Sequence, residues 1–222
     1  MTKVLYLGSD PSYFLKKDSH VIHCPLIRIT PRASNSLSIK AVFDDLSEYT
    51  HILFTSKHAV QIFFEHACNL MADIASLHTK KLMVVGSVTK SVLEERGFCA
   101  SHVAEEETQE GMIAMIRPLD LDNAYFFLPH SSLSRVLLAN FFIERDVRHQ
   151  ACVIYDTTYA RPDPLPLLDH IEEIIFTSPS TVHAFFQIFS KIPLGKKLGV
   201  RGSITEHALK AHLTEEHEVF YV

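Results

Sequence analysis

Residues 52–60 read Ile52-Leu53-Phe54-Thr55-Ser56-Lys57-His58-Ala59-Val60, and about 120 residues later the chain repeats this element as Ile174-Ile175-Phe176-Thr177-Ser178-Pro179-Ser180-Thr181-Val182. A second matching element follows each copy, first as Val85-Gly86-Ser87-Val88-Thr89 and then as Arg201-Gly202-Ser203-Ile204-Thr205. In each element an apolar run precedes small polar residues, which is typical of a strand that turns into a helix. The repetition predicts two similar α/β halves with a cleft between them.

The composition is that of an ordinary globular protein. Of 222 residues, 47% are apolar and 21% are charged, so a sizeable core can form. The net charge of −5 argues against a nucleic-acid partner, because nucleic-acid-binding domains usually carry a basic excess. A small anionic ligand, bound by a local basic patch, remains compatible with this charge.

The cysteines, histidines and apolar runs argue against a disulfide-bonded, a metal-binding and a membrane-spanning protein. The four cysteines form no C-x-x-C pair, and Cys24 and Cys152 lie in apolar runs, which predicts buried thiols in a reducing compartment. The 14 histidines form no H-E-x-x-H motif, so we expect no metal. The longest apolar run, 136–143, is too short to span a bilayer. With no signal-peptide layout at the start, we expect a cytoplasmic protein without a membrane partner.

Short apolar runs alternate with helical patterns along the whole chain, which favours parallel sheets covered by helices. The expected helices include one capped by Ser56, one capped by Ser178 with Pro179 at its first position, and one that Gly97 closes. Ten strands are expected, which suits two sheets of five. They are 4–7, 21–25, 51–55, 82–85, 100–103, 124–128, 148–155, 173–177, 197–201 and 218–221.

Two polar or proline-rich segments, within 28–36 and 157–166, are typical of linkers. We therefore predict one α/β domain (37–156) inserted into another (1–30 and 165–222), with 31–36 and 157–164 as linkers. Two adjacent crossings would form a hinge that opens and closes around a ligand.

The repeated polar loops are candidates for binding an anion. Thr-Ser at the end of a strand offers hydroxyls and backbone N–H groups at the positive end of a helix, although Ser56 and Ser178 could simply cap their helices. The Gly-Ser-x-Thr turns allow the same two interpretations, and they lack the G-x-G-x-x-G and Walker patterns. Tyr155 ends a predicted strand beside the second linker. Its phenol could donate a proton at the mouth of the cleft, or it could only pack the interface.

Several segments, in order and spacing, resemble the uroporphyrinogen-III synthase family. They are Phe-Thr-Ser at 54–56 and 176–178, Val85-Gly86-Ser87-Val88-Thr89, Leu128-Pro129-His130 with Ser134-Arg135-Val136-Leu137-Leu138, Val153-Ile154-Tyr155-Asp156-Thr157, and Gly202-Ser203-Ile204-Thr205-Glu206-His207-Ala208-Leu209. The resemblance implies two flavodoxin-like domains joined by a two-stranded connector, with the active site in the cleft. It also implies cofactor-free cyclisation of hydroxymethylbilane, with inversion of ring D and loss of water.

The resemblance also implies roles for individual residues. Tyr155 matches the family's cleft tyrosine and would assist departure of hydroxide, while Lys90 and Arg201 could balance substrate carboxylates. The candidate residues for binding the carboxylate side chains of this linear tetrapyrrole are Thr55, Ser56, Lys57, Gly86, Thr89, His130, Arg135, Thr177, Ser178, Gly202 and Thr205. The chain departs from the family in having Leu7-Gly8-Ser9-Asp10, where members often carry Thr-Arg.

Two other functions stay open at this point. A non-catalytic two-domain protein could close on a small anionic ligand with the same fold. A phosphate- or nucleotide-handling enzyme could also use this architecture, but the sequence has no phosphate loop. We expect a monomer, since no exposed apolar stripe stands out.

Overall fold

The computed structural model describes residues 2–11, 20–213 and 217–222, and the chain divides into two compact units. Met1–Arg28 and Thr158–Val222 together form one, which we call the discontinuous unit. Ile29–Thr157 forms the other, the inserted unit. Every buried apolar cluster of the described residues lies within one unit, so each unit has its own hydrophobic core.

Strands and helices alternate along the chain. In order they are β1 (Lys3–Tyr6), β2 (His20–His23), β3 (Ile27–Pro31), α1 (Leu37–Asp44), β4 (His51–Phe54), α2 (Lys57–Asn69), β5 (Lys81–Val85), α3 (Gly86–Glu95), β6 (His102–Ala104), α4 (Gln109–Ile116), β7 (Tyr125–Ser131), α5 (Leu137–Glu144), β8 (Arg148–Tyr159), β9 (Glu173–Phe176), α6 (Pro179–Phe189), β10 (Lys197–Val200), α7 (Ser203–Lys210) and β11 (Glu218–Tyr221). Short 3-10 turns occupy Ile74–Thr79 and Leu168–His170. All ten predicted strands are present, and β3 is an additional strand that was not predicted.

The discontinuous unit has a parallel sheet with the order β11-β10-β9-β1-β2. Counted along the chain, this is the flavodoxin-type order 2-1-3-4-5, in which the direction of winding changes between β1 and β9. Alternate residues of each strand face opposite sides. Leu5 and Ile174 pack in the larger core cluster, against α6 and α7, whereas Val4 and Ile175 belong to a smaller cluster.

The inserted unit has a six-stranded sheet with the order β3-β8-β7-β4-β5-β6. Its five parallel strands, β4 to β8, follow the other doubly wound order, 3-2-1-4-5, and the winding changes direction between β4 and β7. Both faces are covered, because Ile52 and Phe54 pack in one cluster with α1 and α2, while Leu53 packs in another with α4 and α5. Burial on both faces explains why these strands are continuous apolar runs.

The chain passes between the units in β3 and β8, which are neighbours in the six-stranded sheet. The Arg32 N–H donates to the Ile154 carbonyl (3.0 Å), and the Ala160 N–H donates to the Leu26 carbonyl (2.8 Å), so the two strands run antiparallel. Part of each predicted linker is therefore strand. β3 escaped prediction because it is a largely exposed edge strand with alternating polar residues, where even a proline is tolerated.

Cys24 and Cys152 are buried thiols, as predicted, while Cys68 and Cys99 are exposed. Within the described ranges, we find no helix with the length and apolar character needed to cross a membrane.

Candidate active site

Parallel pairing brings the ends of the strands, and the loops that follow them, to one edge of each sheet. In the inserted unit, Ser56 follows β4 and Ser131 ends β7, on either side of the point where the winding reverses. In the discontinuous unit, Ser178 follows β9 and Gly8 follows β1 at the corresponding point. Open α/β sheets bind ligands at such switch points, so both Thr-Ser loops occupy the expected position.

Ser56 caps α2 and also contacts a second side chain. Its backbone is extended, and its Oγ accepts a hydrogen bond from the Ala59 N–H at 3.0 Å, which confirms the capping interpretation. The same Oγ lies 2.9 Å from the phenolic oxygen of Tyr155, which is 99 residues away in the chain. Two candidate residues from the sequence are thus joined by a hydrogen bond.

A β-bulge directs Tyr155 towards Ser56. The β7–β8 register pairs His130 with Val153 but Ser131 with Tyr155, so Ile154 is one extra residue on β8. In a regular strand Ile154 and Tyr155 would face opposite sides, yet both pack in the core cluster beneath α2. Bulges are rare between parallel strands and often re-aim a side chain near an active site.

The phenol of Tyr155 is buried instead of lying at an open mouth. Only 5% of the residue is exposed. Burial raises the pKa of Tyr155, and the hydrogen bond with Ser56 lowers it in part. The strand also continues beyond Tyr155 as far as Tyr159, so the predicted strand end at Tyr155 is wrong.

Ser178 caps α6 in a closed network. Its Oγ accepts from the Thr181 N–H at 3.3 Å, and Thr181 Oγ1 accepts from the N–H groups of Thr177 and Ser178, both at 3.2 Å, to form a capping box. Ser178 Oγ also lies 2.8 Å from Ser180 Oγ. The backbone donors that the sequence offers to an anion here are thus already bonded to Thr181.

The glycine turn after β5 is occupied by an acidic side chain. Gly86 has φ +70°, as a tight turn requires, and the space where a Cβ would lie holds the Glu107 side chain. Glu107 Oε1 accepts from the Ser87 N–H at 3.1 Å. A carboxylate of the protein itself therefore fills the N-terminal end of α3, where the sequence predicted a substrate carboxylate.

The matching turn after β10 is open. Gly202 has φ +82°, and no described residue other than its two chain neighbours has an atom within 4 Å of the Cβ position. Thr205 is buried and donates from Oγ1 to the Arg201 carbonyl at 2.9 Å. Within the described chain, the N-cap residues of α3 and α7 make no side-chain cap, and the buried Thr89 lies inside α3. The hydroxyl-capping interpretation therefore does not hold for these two turns.

The candidate cations differ in their surroundings. Arg135 makes a bidentate ion pair with Glu110, at 2.5 and 2.6 Å, which holds the pKa of that carboxyl below its usual value. Lys90 lies 3.6 Å from Glu94, one turn away on the same helix. Arg135 could therefore reach a substrate only by giving up Glu110.

Tyr6, which no sequence motif marks, lies at the edge of the sheet of the discontinuous unit. A Cβ at Gly8 would be 2.8 Å from the Tyr6 hydroxyl and 2.7 Å from Thr177 Cγ2, so only glycine allows this close approach. Burial raises the pKa of Tyr6, while the charge of Arg201 opposes the rise. Tyr6 and Arg201 are thus close to Thr177, although the apolar run 4–7 gave no reason to single out Tyr6.

The sequence model of the family described as uroporphyrinogen-III synthase HemD matches residues 12–218. The chain belongs to the uroporphyrinogen-III synthase family. A curated relative, the porphyrin biosynthesis protein HemD of Ruminiclostridium josui, is 25% identical over 216 residues, or 95% of this chain and 41% of the relative. The chain thus spans about two fifths of that relative's length.

Solved structures of uroporphyrinogen-III synthases share the fold. A mutant of the Thermus thermophilus enzyme has a TM-score of 0.70 at 17% identity, with 100% of this chain and 92% of that chain covered. The Helicobacter pylori 26695 enzyme has a TM-score of 0.63 at 14% identity, with 99% and 92% covered. The predicted fold class, α/β with parallel sheets in two domains, is confirmed.

In this uroporphyrinogen-III synthase family member, the structure places the remaining predicted residues as follows. Thr55, Ser56 and Lys57 are half-buried at the end of β4, and the His130 side chain lies 2.9 Å from the Ser131 carbonyl through Nδ1. Glu107, like Tyr6, is a residue near the predicted site that the sequence did not mark. No motif marks it, since the run 105–107 of three glutamates is typical of a solvated loop.

An open pocket of about 470 Å³ lies elsewhere, on the discontinuous unit. It is lined by Tyr159, His183, Phe186, Gln187, Ser190 and His212, none of which is a predicted site residue. Among residues 2–11, 20–213 and 217–222, no three side chains of the types that bind metals lie together as a group.

Proposed function

We propose that this family member is a uroporphyrinogen-III synthase, a lyase of haem biosynthesis. It would cyclise hydroxymethylbilane to uroporphyrinogen III with inversion of ring D and loss of water. The family match over residues 12–218 is the observation that carries the proposal. The reaction needs no cofactor, because an electron-rich pyrrole can expel its own hydroxyl group.

Tyr155 is the proposed proton donor to the leaving hydroxyl group. An ordinary tyrosine has a pKa of about 10, and burial raises the pKa of Tyr155 further, so the phenol carries a proton that it can give to the leaving group. Its position beside the β4–β7 switch point supports a role in the site. The remaining task for the protein is to hold the flexible chain so that its two ends meet.

In this proposal, the carboxyl edge of each sheet carries residues that bind substrate carboxylates. The open turn at Gly202, next to exposed Arg201, offers backbone N–H groups and a cation to one substrate carboxylate. The half-buried Thr177 and Ser178 supply neighbouring polar groups, and the buried Thr205 holds the turn through its bond to the Arg201 carbonyl. Charge-assisted hydrogen bonds contribute roughly 1.5–3 kcal/mol each, so a few of them can select one folded conformer.

We also propose that the protein acts as a cytoplasmic monomer. Its buried, unpaired Cys24 and Cys152 suit a reducing compartment.

The test is a coupled assay with hydroxymethylbilane that is made enzymatically in the same reaction. Products are oxidised to porphyrins and separated by isomer. Without a synthase, hydroxymethylbilane closes to isomer I, so we expect isomer III only when the protein is present. Isomer I alone, from folded protein that still binds the substrate, would favour the non-catalytic binding function instead.

A further inference from the structure

Ser56 has more hydrogen-bonding capacity than a helix cap needs. A serine hydroxyl offers one hydrogen and two lone pairs. One lone pair of Ser56 Oγ accepts the hydrogen bond from the Ala59 N–H. The same Oγ lies 2.9 Å from the Tyr155 phenolic oxygen, with which it forms a second hydrogen bond. The corresponding cap, Ser178, faces Ser180 instead. The Ser56–Tyr155 contact is therefore a specific feature of the inserted unit and not a general feature of the repeated element.

The surroundings favour Ser56 as the donor in this pair. A hydroxyl that accepts one hydrogen bond becomes a stronger donor in the next, because the bonds polarise one another. Ser56 accepts from a backbone N–H at the positive end of α2, which also favours negative charge on a nearby oxygen. If Ser56 donates its hydrogen to the phenolic oxygen, the phenolic hydrogen of Tyr155 is not engaged in a bond to Ser56.

We infer that Ser56 is a positioning residue for Tyr155, which keeps the phenolic hydrogen available for the leaving hydroxyl group and stabilises the phenolate that forms. This inference rests on the proposed synthase function. It assigns to Ser56 a role in turnover, distinct from the carboxylate-binding role that the sequence suggested.

The proton transfer balances without a co-reactant. The O–H bond of Tyr155 breaks and its proton goes to the hydroxymethyl oxygen of the substrate. The carbon–oxygen bond then breaks, with its electron pair going to oxygen, and water leaves. The proton that is released when the closed macrocycle regains its pyrrole rings returns to the phenolate and restores Tyr155.

The experiment compares variants of Ser56 in the isomer-III assay. Ser56→Ala should lower kcat about tenfold with little change in KM, because it removes one hydrogen bond that strengthens as charge forms. Ser56→Thr, which keeps the hydroxyl, should restore most of kcat. In a Tyr155→Phe background, Ser56→Ala should cause no further loss, because its partner oxygen is already absent.

Two further variants separate positioning from folding. Asp73→Ala removes a cap far from Tyr155 in the chain, in which Asp73 Oδ1 accepts from the Ala75 N–H at 3.0 Å, the same distance as in the Ser56 cap. This variant should leave kcat unchanged. Ser56→Asp keeps an acceptor for the helix but has no hydrogen to donate, so it should fold and still lose kcat. It provides the test if Ser56→Ala does not fold.

Three outcomes would overturn the inference: an unchanged kcat in a folded Ser56→Ala or Ser56→Asp variant, a full additional loss in the double variant, or no recovery in Ser56→Thr. These outcomes count only if the unaltered protein makes isomer III. Isomer I from the unaltered protein would instead be a failure of the proposed function.

Discussion

Glu107 is an acidic side chain at a position suited to a substrate anion. It accepts a hydrogen bond from the Ser87 N–H at the start of α3, so a substrate carboxylate must displace it to reach the same donors. We expect Glu107→Gln to lower KM about threefold, because the amide competes less well for that end of the helix. Steady-state kinetics measures this, with Glu105→Gln in the same loop as the control. A KM that rises would show that Glu107 supports the site.

His51 should make the stability of the protein depend on pH. Burial holds the pKa of His51 at about 4, below its ordinary value of 6.5, and its Nε2 has no hydrogen-bond partner among the described residues. Between these values the unfolded chain binds one proton more than the folded chain. Stability is therefore complete above pH 6.5 and falls by roughly 3 kcal/mol as the pH drops to 4.

His51→Phe should remove most of this dependence. The new ring can keep the stacking on Phe126, which lies 4.4 Å away between ring centroids, and it does not titrate. Urea unfolding at several pH values between 7 and 4 measures the change. His207→Gln, which replaces an exposed histidine, is the control variant. An equally steep loss in His51→Phe would assign the acid sensitivity to other groups.

The two glycine turns should differ in their tolerance of alanine. Both have positive φ, so alanine costs about 1 kcal/mol of stability at either turn. At Gly202 this conformational cost is the whole loss of stability, because the new Cβ would enter open space. At Gly86 the new Cβ would also overlap the Glu107 side chain. We expect Gly86→Ala to destabilise by about 2 kcal/mol. In a Glu107→Ala background, urea unfolding should show equal costs at the two turns.

The strands that build the sheets were predictable because both of their faces are buried. A run such as Ile52-Leu53-Phe54 can only be central, whereas edge strand β3 has a mostly exposed pattern that resembles a loop. The helix starts at Ser56 and Ser178 were predictable for a local reason, because a cap depends on neighbouring residues.

The contacts that assemble the candidate site were not predictable from local sequence. Cys152, Val153, Ile154 and Tyr155 are all apolar or aromatic, so no alternation shows which face Tyr155 occupies or that a bulge follows Val153. The bond to Ser56 and the position of Glu107 depend on how distant strands line up. Register between strands is a tertiary property.

At the level of the whole chain, the inserted unit should fold by itself. It is one continuous segment, Ile29–Thr157, and its two large core clusters contain only its own residues. A protein of residues 29–157 should unfold cooperatively in urea and should form no isomer III, because the proposed binding residues of the discontinuous unit, Thr177, Ser178, Gly202 and Thr205, are missing. A non-cooperative transition would show that this unit needs the rest of the chain.

The pairing of β1 with β9 has a consequence for biosynthesis. Val4 aligns with Glu173, so β1 leaves the ribosome roughly 10 to 30 s before its central partner at ordinary rates of translation. The intervening unit can fold in that interval, while the apolar strand β1 waits for β9. That strand is a natural target for chaperones, and its aggregation is the failure most to be expected when synthesis outpaces folding.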